Sequence, residues 1–193
     1  PPRSTLFPYT TLFRSPLIVT LGRLHTAKAF DTLIRSVVDL PSVHVWIGGA
    51  GPEESALQDL ITSQNLSDRV KLCGWVDDRA AFLSCGDICV FPSRYEPFGT
   101  VFVQAWACRI PLITSLADGP RQYVREGVDA LTFDIDDVSG LQRQIQYLLD
   151  HPEVAESLTR AGVARYEQEF TKDRTRSAYL DLYDRLLGQK AAA

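Results

Sequence analysis

The densest chemistry in the chain lies in one run, PSRYEPFGTV, from Pro92 to Val101. It follows a short apolar stretch ending at Phe91 and precedes residues that read as a helix starting at Gly99 or Thr100. Free backbone N–H groups at such a start form an anion site without any side chain. Glu96, just before them, is a carboxylate placed to accept hydrogen bonds from sugar hydroxyls. Gln104 lies one helical turn in and reaches the same side. A second run, GRLHTAK from Gly22 to Lys28, sets the cations Arg23 and Lys28 five residues apart, between a strand and a helix start. Cations there oppose the helix dipole. That penalty is offset if both converge on an anion, most simply a diphosphate. Taken alone, two solvated loop cations explain the spacing better.

Two further turns could complete a site. IGGAGPE, around Gly49, lets the backbone turn tightly and a ligand approach closely, although an ordinary tight turn explains it equally well. GWVDD, around Val76, makes a rim suited to a flat base, with Asp77 or Asp78 as a helix cap in either case. The Asp134-Ile135-Asp136 triplet spells a metal-binding Asp-x-Asp, but it follows the last strand and precedes a helix, so turn and cap duty is expected. His25, His44 and His151 are far apart and, with scattered cysteines, form no metal set. His25 is placed to touch a ligand in its loop, and His44 reads as structural.

These segments need a scaffold, and the hydrophobic pattern supplies one. Continuous apolar runs flanked by turn residues read as buried strands over 17–21, 43–47, 70–72, 88–91, 112–114 and 130–133. Phe30, Leu33, Ile34, Val37 and Val38 make one helical stripe. Shorter helices are expected over 53–63, 78–84, 100–108 and 121–126. The alternation predicts an α/β fold, a doubly wound (Rossmann-like) parallel sheet of about six strands followed by C-terminal helices. Such sheets bind ligands at the carboxyl ends of their strands, where all four turns fall. One helix carries Leu141, Ile145, Leu148 and Leu149, a second spans 152–170, and a third carries Tyr179, Leu182, Tyr183 and Leu186. No repeat or linker divides 16–188, which reads as one domain with a frayed tail at 189–193.

Composition narrows the class. A chain of 193 residues with net charge −4, 45% hydrophobic and 23% charged, is neither disordered nor fibrous and can bury a real core. No run reaches the roughly 18 apolar residues of a membrane span, and the acidic balance argues against nucleic acid. Cys73, Cys85, Cys89 and Cys108 lack paired spacing and have apolar neighbours, so buried, reduced thiols and a cytoplasmic setting are expected. Residues 5–15, TLFPYTTLFRS, match a conceptual translation of a short-read sequencing adapter. Residues 1–15 are therefore read as an artefact ahead of a truncated reading frame.

Together the four turns resemble the C-terminal, donor-binding half of a GT-B fold retaining glycosyltransferase of family 4, the glycosyl transferases group 1, from Pro16 to about Leu187. The resemblance implies that Arg23 and Lys28 bind a donor diphosphate and that Glu96 contacts the donor sugar. It also implies that Phe98, Gly99, Thr100 and Val101 cradle sugar and phosphates beside Gly22 and Gly49, and that the Val76 region lines the nucleobase pocket. Gln104 replaces the family's ribose-binding acid, which predicts ribose binding weaker by about 1 kcal/mol. Gln122 likewise replaces the acid of a GG-x-x-E pattern. The implied reaction moves a hexose-type sugar from a nucleotide diphospho-sugar to a glycan or lipid-linked acceptor, as in polysaccharide or lipopolysaccharide biosynthesis. Glu96, Arg23 and Lys28 would be its catalytic residues, with no cofactor and no metal. The acceptor would sit on a missing N-terminal domain, so the fragment alone is expected to be inactive. The full-length protein would be cytoplasmic, with peripheral association at the inner membrane face. A nucleotide-sugar epimerase of the same architecture, or a non-catalytic donor-binding module, fits the same residues.

Overall fold

Residues 15–191 are described by a computed structural model, with side chains through Leu187. The adapter-like segment thus lies, apart from Ser15, outside the described residues. Six strands form one sheet: β1 (Leu17–Leu21), β2 (His44–Gly48), β3 (Val70–Leu72), β4 (Ile88–Phe91), β5 (Leu112–Ser115) and β6 (Leu131–Phe133). All neighbours run parallel, in the order β3-β2-β1-β4-β5-β6. Each predicted strand is present within a residue or so of its expected ends.

The helices are α1 (Phe30–Ser36), α2 (Glu54–Ser63), α3 (Arg79–Ser84), α4 (Thr100–Ala107), α5 (Asp118–Tyr123), α6 (Val138–Asp150), α7 (Pro152–Arg165) and α8 (Lys172–Ala191). A short 3-10 turn spans Thr26–Lys28, and a π-helical turn spans Tyr166–Phe170. Two expectations need correction. The helix expected over 121–126 is α5, which begins at Asp118 and takes Pro120 into its first turn, where a missing N–H costs nothing. The single helix expected over 152–170 breaks into α7 and the π turn.

Alternation along each strand feeds two apolar layers. Ile18, Val45, Ile47, Ile88 and Val90 join Leu33, Ile34, Ile61, Leu141 and Ile145 on one face. Leu17, Val19, Leu21, Cys89 and Phe91 join Leu83, Phe102 and Trp106 on the other. A sheet buried on both faces explains why its strands read as unbroken apolar runs. The C-terminal helices are anchored by Arg165, which pairs with the buried Asp129 carboxylate at 2.9 Å and lies 5.6 Å over the Trp106 ring. Among the described residues no helix is long and apolar enough to cross a membrane.

Candidate functional site

The chain order reverses between β1 and β4: β2 and β3 lie on one side of β1, and β4 to β6 on the other. The loops leaving β1 and β4 therefore part in opposite directions and leave a crevice at the carboxyl edge, the usual ligand position in such sheets. A cleft of about 630 Å³ occupies it. Along the edge its wall passes from the turn after β3, with Trp75, Val76 and Arg79, past Gly49 to the loop after β1 with Gly22, Arg23 and Lys28. It ends at the loop after β4, from Glu96 to Val101, with Gln104 on α4.

Close loop contacts shape this edge. Gly49 sits at φ +142°, and a Cβ there would fall 1.8 Å from the Gly22 carbonyl oxygen, so only glycine allows the two loops to touch. Gly49 N–H donates to the Gly74 carbonyl at 2.7 Å, which ties in the third turn. Gly99, at φ +96°, precedes α4 and packs against the Phe91 ring; a Cβ would come within 2.8 Å of it. The first-turn amides of α4 have no intrahelical acceptor, so they point donors and a partial positive charge into the cleft wall.

The electrostatics are divided. Lys28 Nζ is ion-paired with Glu96 Oε2 and sits 5.6 Å from the Phe91 ring centroid. Arg23 and Arg79 are exposed and have no carboxylate partner among the described residues. Among the described residues Glu96 is the one carboxylate in the wall, and Lys28 neutralises it. A cleft with two unpaired guanidinium groups, one paired ammonium and a helix N-terminus attracts anions.

Arg94 fastens the two sides of the crevice together. Its backbone N–H and that of Tyr95 donate to the Ala27 carbonyl at 2.9 and 3.2 Å. Its guanidinium donates to the Thr26 carbonyl at 2.8 Å and pairs with Asp31 at 2.8 Å and Asp136 at 2.7 Å. Burial pushes the Asp31 carboxyl up, but the Arg94 bond and local backbone donors outweigh it and hold Asp31 below its usual value. The Asp31 bond in turn raises the Arg94 pKa. Arg94 thus fixes the spacing between Lys28 and Glu96 without lining the cleft. Behind the same loop, Phe98 packs on Tyr123 at 5.0 Å, Phe102 at 5.4 Å and Phe170 at 6.3 Å between centroids.

Gly22, Arg23, Lys28, Gly49, Val76, Glu96, Phe98, Gly99, Thr100, Val101 and Gln104 all meet in this one cleft. Other residues singled out in the sequence lie elsewhere. Gln122 is exposed on α5 and does not line it. Nor does His25, whose Nδ1 accepts from the Ala27 N–H at 3.2 Å and caps the 3-10 turn. Only Cys89 of the four cysteines is buried, its thiol pushed up to about 12 by burial; Cys73 is exposed and Cys85 and Cys108 are half-buried. Asp136 of the Asp-x-Asp triplet binds Arg94 and Thr32, while the neighbouring Asp137 caps α6. No cluster of three potential metal ligands occurs among the described residues. Sequence reasoning missed Arg79 and Arg94. Arg79 had a signal, a cation one residue after the capping Asp78; Arg94 had none, because its partners are distant in sequence.

The model of the glycosyl transferases group 1 matches residues 15–151. The chain belongs to this family. It is 33% identical over 168 residues to the lipopolysaccharide core biosynthesis glycosyltransferase LpsE of Rhizobium meliloti, covering 87% of this chain and 49% of that protein. LpsD of the same organism is 37% identical over 169 residues, covering 88% and 49%. The chain thus spans about half the length of the curated relatives it matches. Among solved structures, sucrose-phosphate synthase from Thermosynechococcus elongatus superposes with a TM-score of 0.85 at 29% identity, over 91% of this chain and 46% of that one. HepE from Anabaena, solved with UDP, gives 0.81 at 22% identity, over 92% and 51%. The architecture is one half of a GT-B glycosyltransferase fold.

Proposed function

We propose that this family member is the donor-binding half of a retaining glycosyltransferase that moves a hexose-type sugar from a nucleotide diphospho-sugar to a glycan or lipid-linked acceptor. The observation that carries the reading is the convergence of Arg23, Lys28, Glu96 and the α4 amides on one crevice at the β1–β4 switch. The order of groups along the edge suits an extended donor. The base lies by Trp75 and Val76, the diphosphate by Arg23, Lys28 and the amides of Thr100 and Val101, and the sugar by Glu96.

In this reading the chemistry is stabilisation of a departing diphosphate. As the bond from the anomeric carbon to the diphosphate oxygen breaks, negative charge grows on the leaving group. Arg23, Lys28 and the helix start meet it with preorganised donors. Lys28 is held by Glu96 until a donor arrives, and then divides its donors between carboxylate and phosphate. The acceptor half of the crevice belongs to the rest of the protein, and the proposed setting is the synthesis of a polysaccharide or lipopolysaccharide. The R. meliloti relatives named for lipopolysaccharide core biosynthesis support that setting.

The test uses the full-length protein with a panel of nucleotide sugars and a mixture of glycan and lipid-linked acceptors. Glycosylated product with the donor's anomeric configuration retained is the expected outcome. Epimerised donor without transfer would replace this reading by an epimerase, and donor binding without either would leave a binding module.

A further inference from the structure

The end of the cleft farthest from Glu96 is built from Trp75, Val76 and Arg79. Their turn follows β3, three strand positions from β4, or roughly 14 Å along the edge. Its polar groups are unevenly committed. Asp77 accepts from Trp75 Nε1 at 2.8 Å, and Asp78 caps α3 by accepting from the Ala81 N–H at 2.9 Å; neither lines the cleft. Arg79 does line it, exposed and without a carboxylate partner among the described residues. Beside it α4 comes close enough for the Cys108 thiol to reach the Ala80 carbonyl at 3.8 Å. The α4 residues in the wall are Thr100, Val101 and Gln104, none of them charged. This end therefore offers guanidinium donors and an aromatic face, with no carboxylate to receive an amino group.

Building on the donor-site reading above, we propose that Arg79 makes this end of the cleft choose nucleobases by their exocyclic oxygen. It takes uracil or guanine in preference to cytosine or adenine. A guanidinium has five donors and no acceptor. It pairs with an oxo group at the pyrimidine 4-position or the purine 6-position, and with guanine it can bond O6 and N7 together. An amino group at the same position brings donor against donor and forgoes that charged hydrogen bond. Trp75 adds a stacking surface, which accepts any base and contributes no discrimination.

Calorimetric titration of the 193-residue chain with UDP, GDP, CDP, ADP and inorganic pyrophosphate tests this. The two oxo nucleotides should bind about tenfold or more tighter than the two amino nucleotides, the value of one good hydrogen bond to a charged donor. Arg79→Gln, whose amide both donates and accepts, should bring all four within about threefold, mainly by weakening UDP and GDP. Arg79→Lys should keep the order, and pyrophosphate, held at the other end of the cleft beyond a Debye length, should change by about twofold at most in either variant. Arg79 is exposed at the first residue of α3, and matching circular dichroism melts will show that the variants fold. Equal binding of all four nucleotides by the unaltered chain overturns the inference, as does a proportionate loss of all four in Arg79→Gln. Should either variant fail to fold, the unaltered chain's own ranking decides. If none of the nucleotides nor pyrophosphate binds, the donor-site reading itself fails, a result distinct from binding without discrimination.

Discussion

Replacing Glu96 by alanine should move two ligands in opposite directions. The Glu96 carboxylate holds Lys28 Nζ, with side-chain exposures of 14% and 23%. A bare nucleoside diphosphate therefore competes with that carboxylate for Lys28 and is repelled by it. At about 7 Å and an effective dielectric near 20, one unit charge acts on another with about 2 kcal/mol. Partial exposure and salt reduce this to about 1 kcal/mol, so Glu96→Ala should bind the bare diphosphate about fivefold tighter. The intact nucleotide sugar gains the same relief but loses hydroxyl bonds to a charged acceptor, at about 1.5–3 kcal/mol. The ratio of its Kd to that of the bare diphosphate should rise by about tenfold or more. Isothermal calorimetry with both ligands on both proteins measures the ratio directly, and the gain for the bare diphosphate should shrink at high salt. A common factor for both ligands, in either direction, refutes the assignment of Glu96 to the sugar and Lys28 to the diphosphate.

Other substitutions probe the frame. Arg94→Leu should weaken nucleoside diphosphate binding, because the loops after β1 and β4 lose their shared fastener. It should also change the acid limb of stability. The depressed Asp31 carboxyl contributes stability above the ordinary carboxylate value near pH 4, lost as pH falls through its lower folded value. Urea melts from pH 3 to 7 should lack that increment in the variant, whereas parallel profiles would contradict the pairing. Gly49→Ala should cost about 3 kcal/mol or more in the same melts, since its Cβ would collide with the Gly22 carbonyl oxygen. Phe170→Ala should cost about 2 kcal/mol, less than a fully buried ring, and should weaken nucleotide sugar binding by loosening Phe98.

Elements whose signal is local were legible in the sequence. The six strands announce themselves because both faces of the sheet are covered, which leaves unbroken runs such as Ile88–Phe91 between turns. The cleft residues were legible because an open parallel sheet gathers its strand-to-helix loops at one edge. What was missed depends on contacts distant in sequence. Arg94 meets Asp31 and Asp136, which no local pattern relates to it. Helix α5 starts at Asp118, earlier than its composition suggests, because Gly119-Pro120 reads as a break although a helix accepts Pro in its first turn. Gly119 N–H donates to the Glu96 carbonyl at 2.7 Å, a tertiary tie that favours the early start. The π turn at Tyr166–Phe170 carries a helical pattern and differs only in packing, where Phe170 reaches the Phe98 cluster. Three cysteines stand at element ends rather than within strands, so apolar neighbours overstated their burial.

The central claim is that the crevice between the β1 and β4 loops holds a diphosphate through Arg23 and Lys28 acting together. Calorimetric titration of a nucleoside diphosphate into the chain and into Arg23→Ala and Lys28→Ala tests it most directly. Each charged hydrogen bond in a partly desolvated cleft is worth about 1.5–3 kcal/mol, so each substitution should weaken binding by about tenfold or more. Unchanged affinity in both variants would contradict the account, leaving the family membership without a diphosphate site in this cleft.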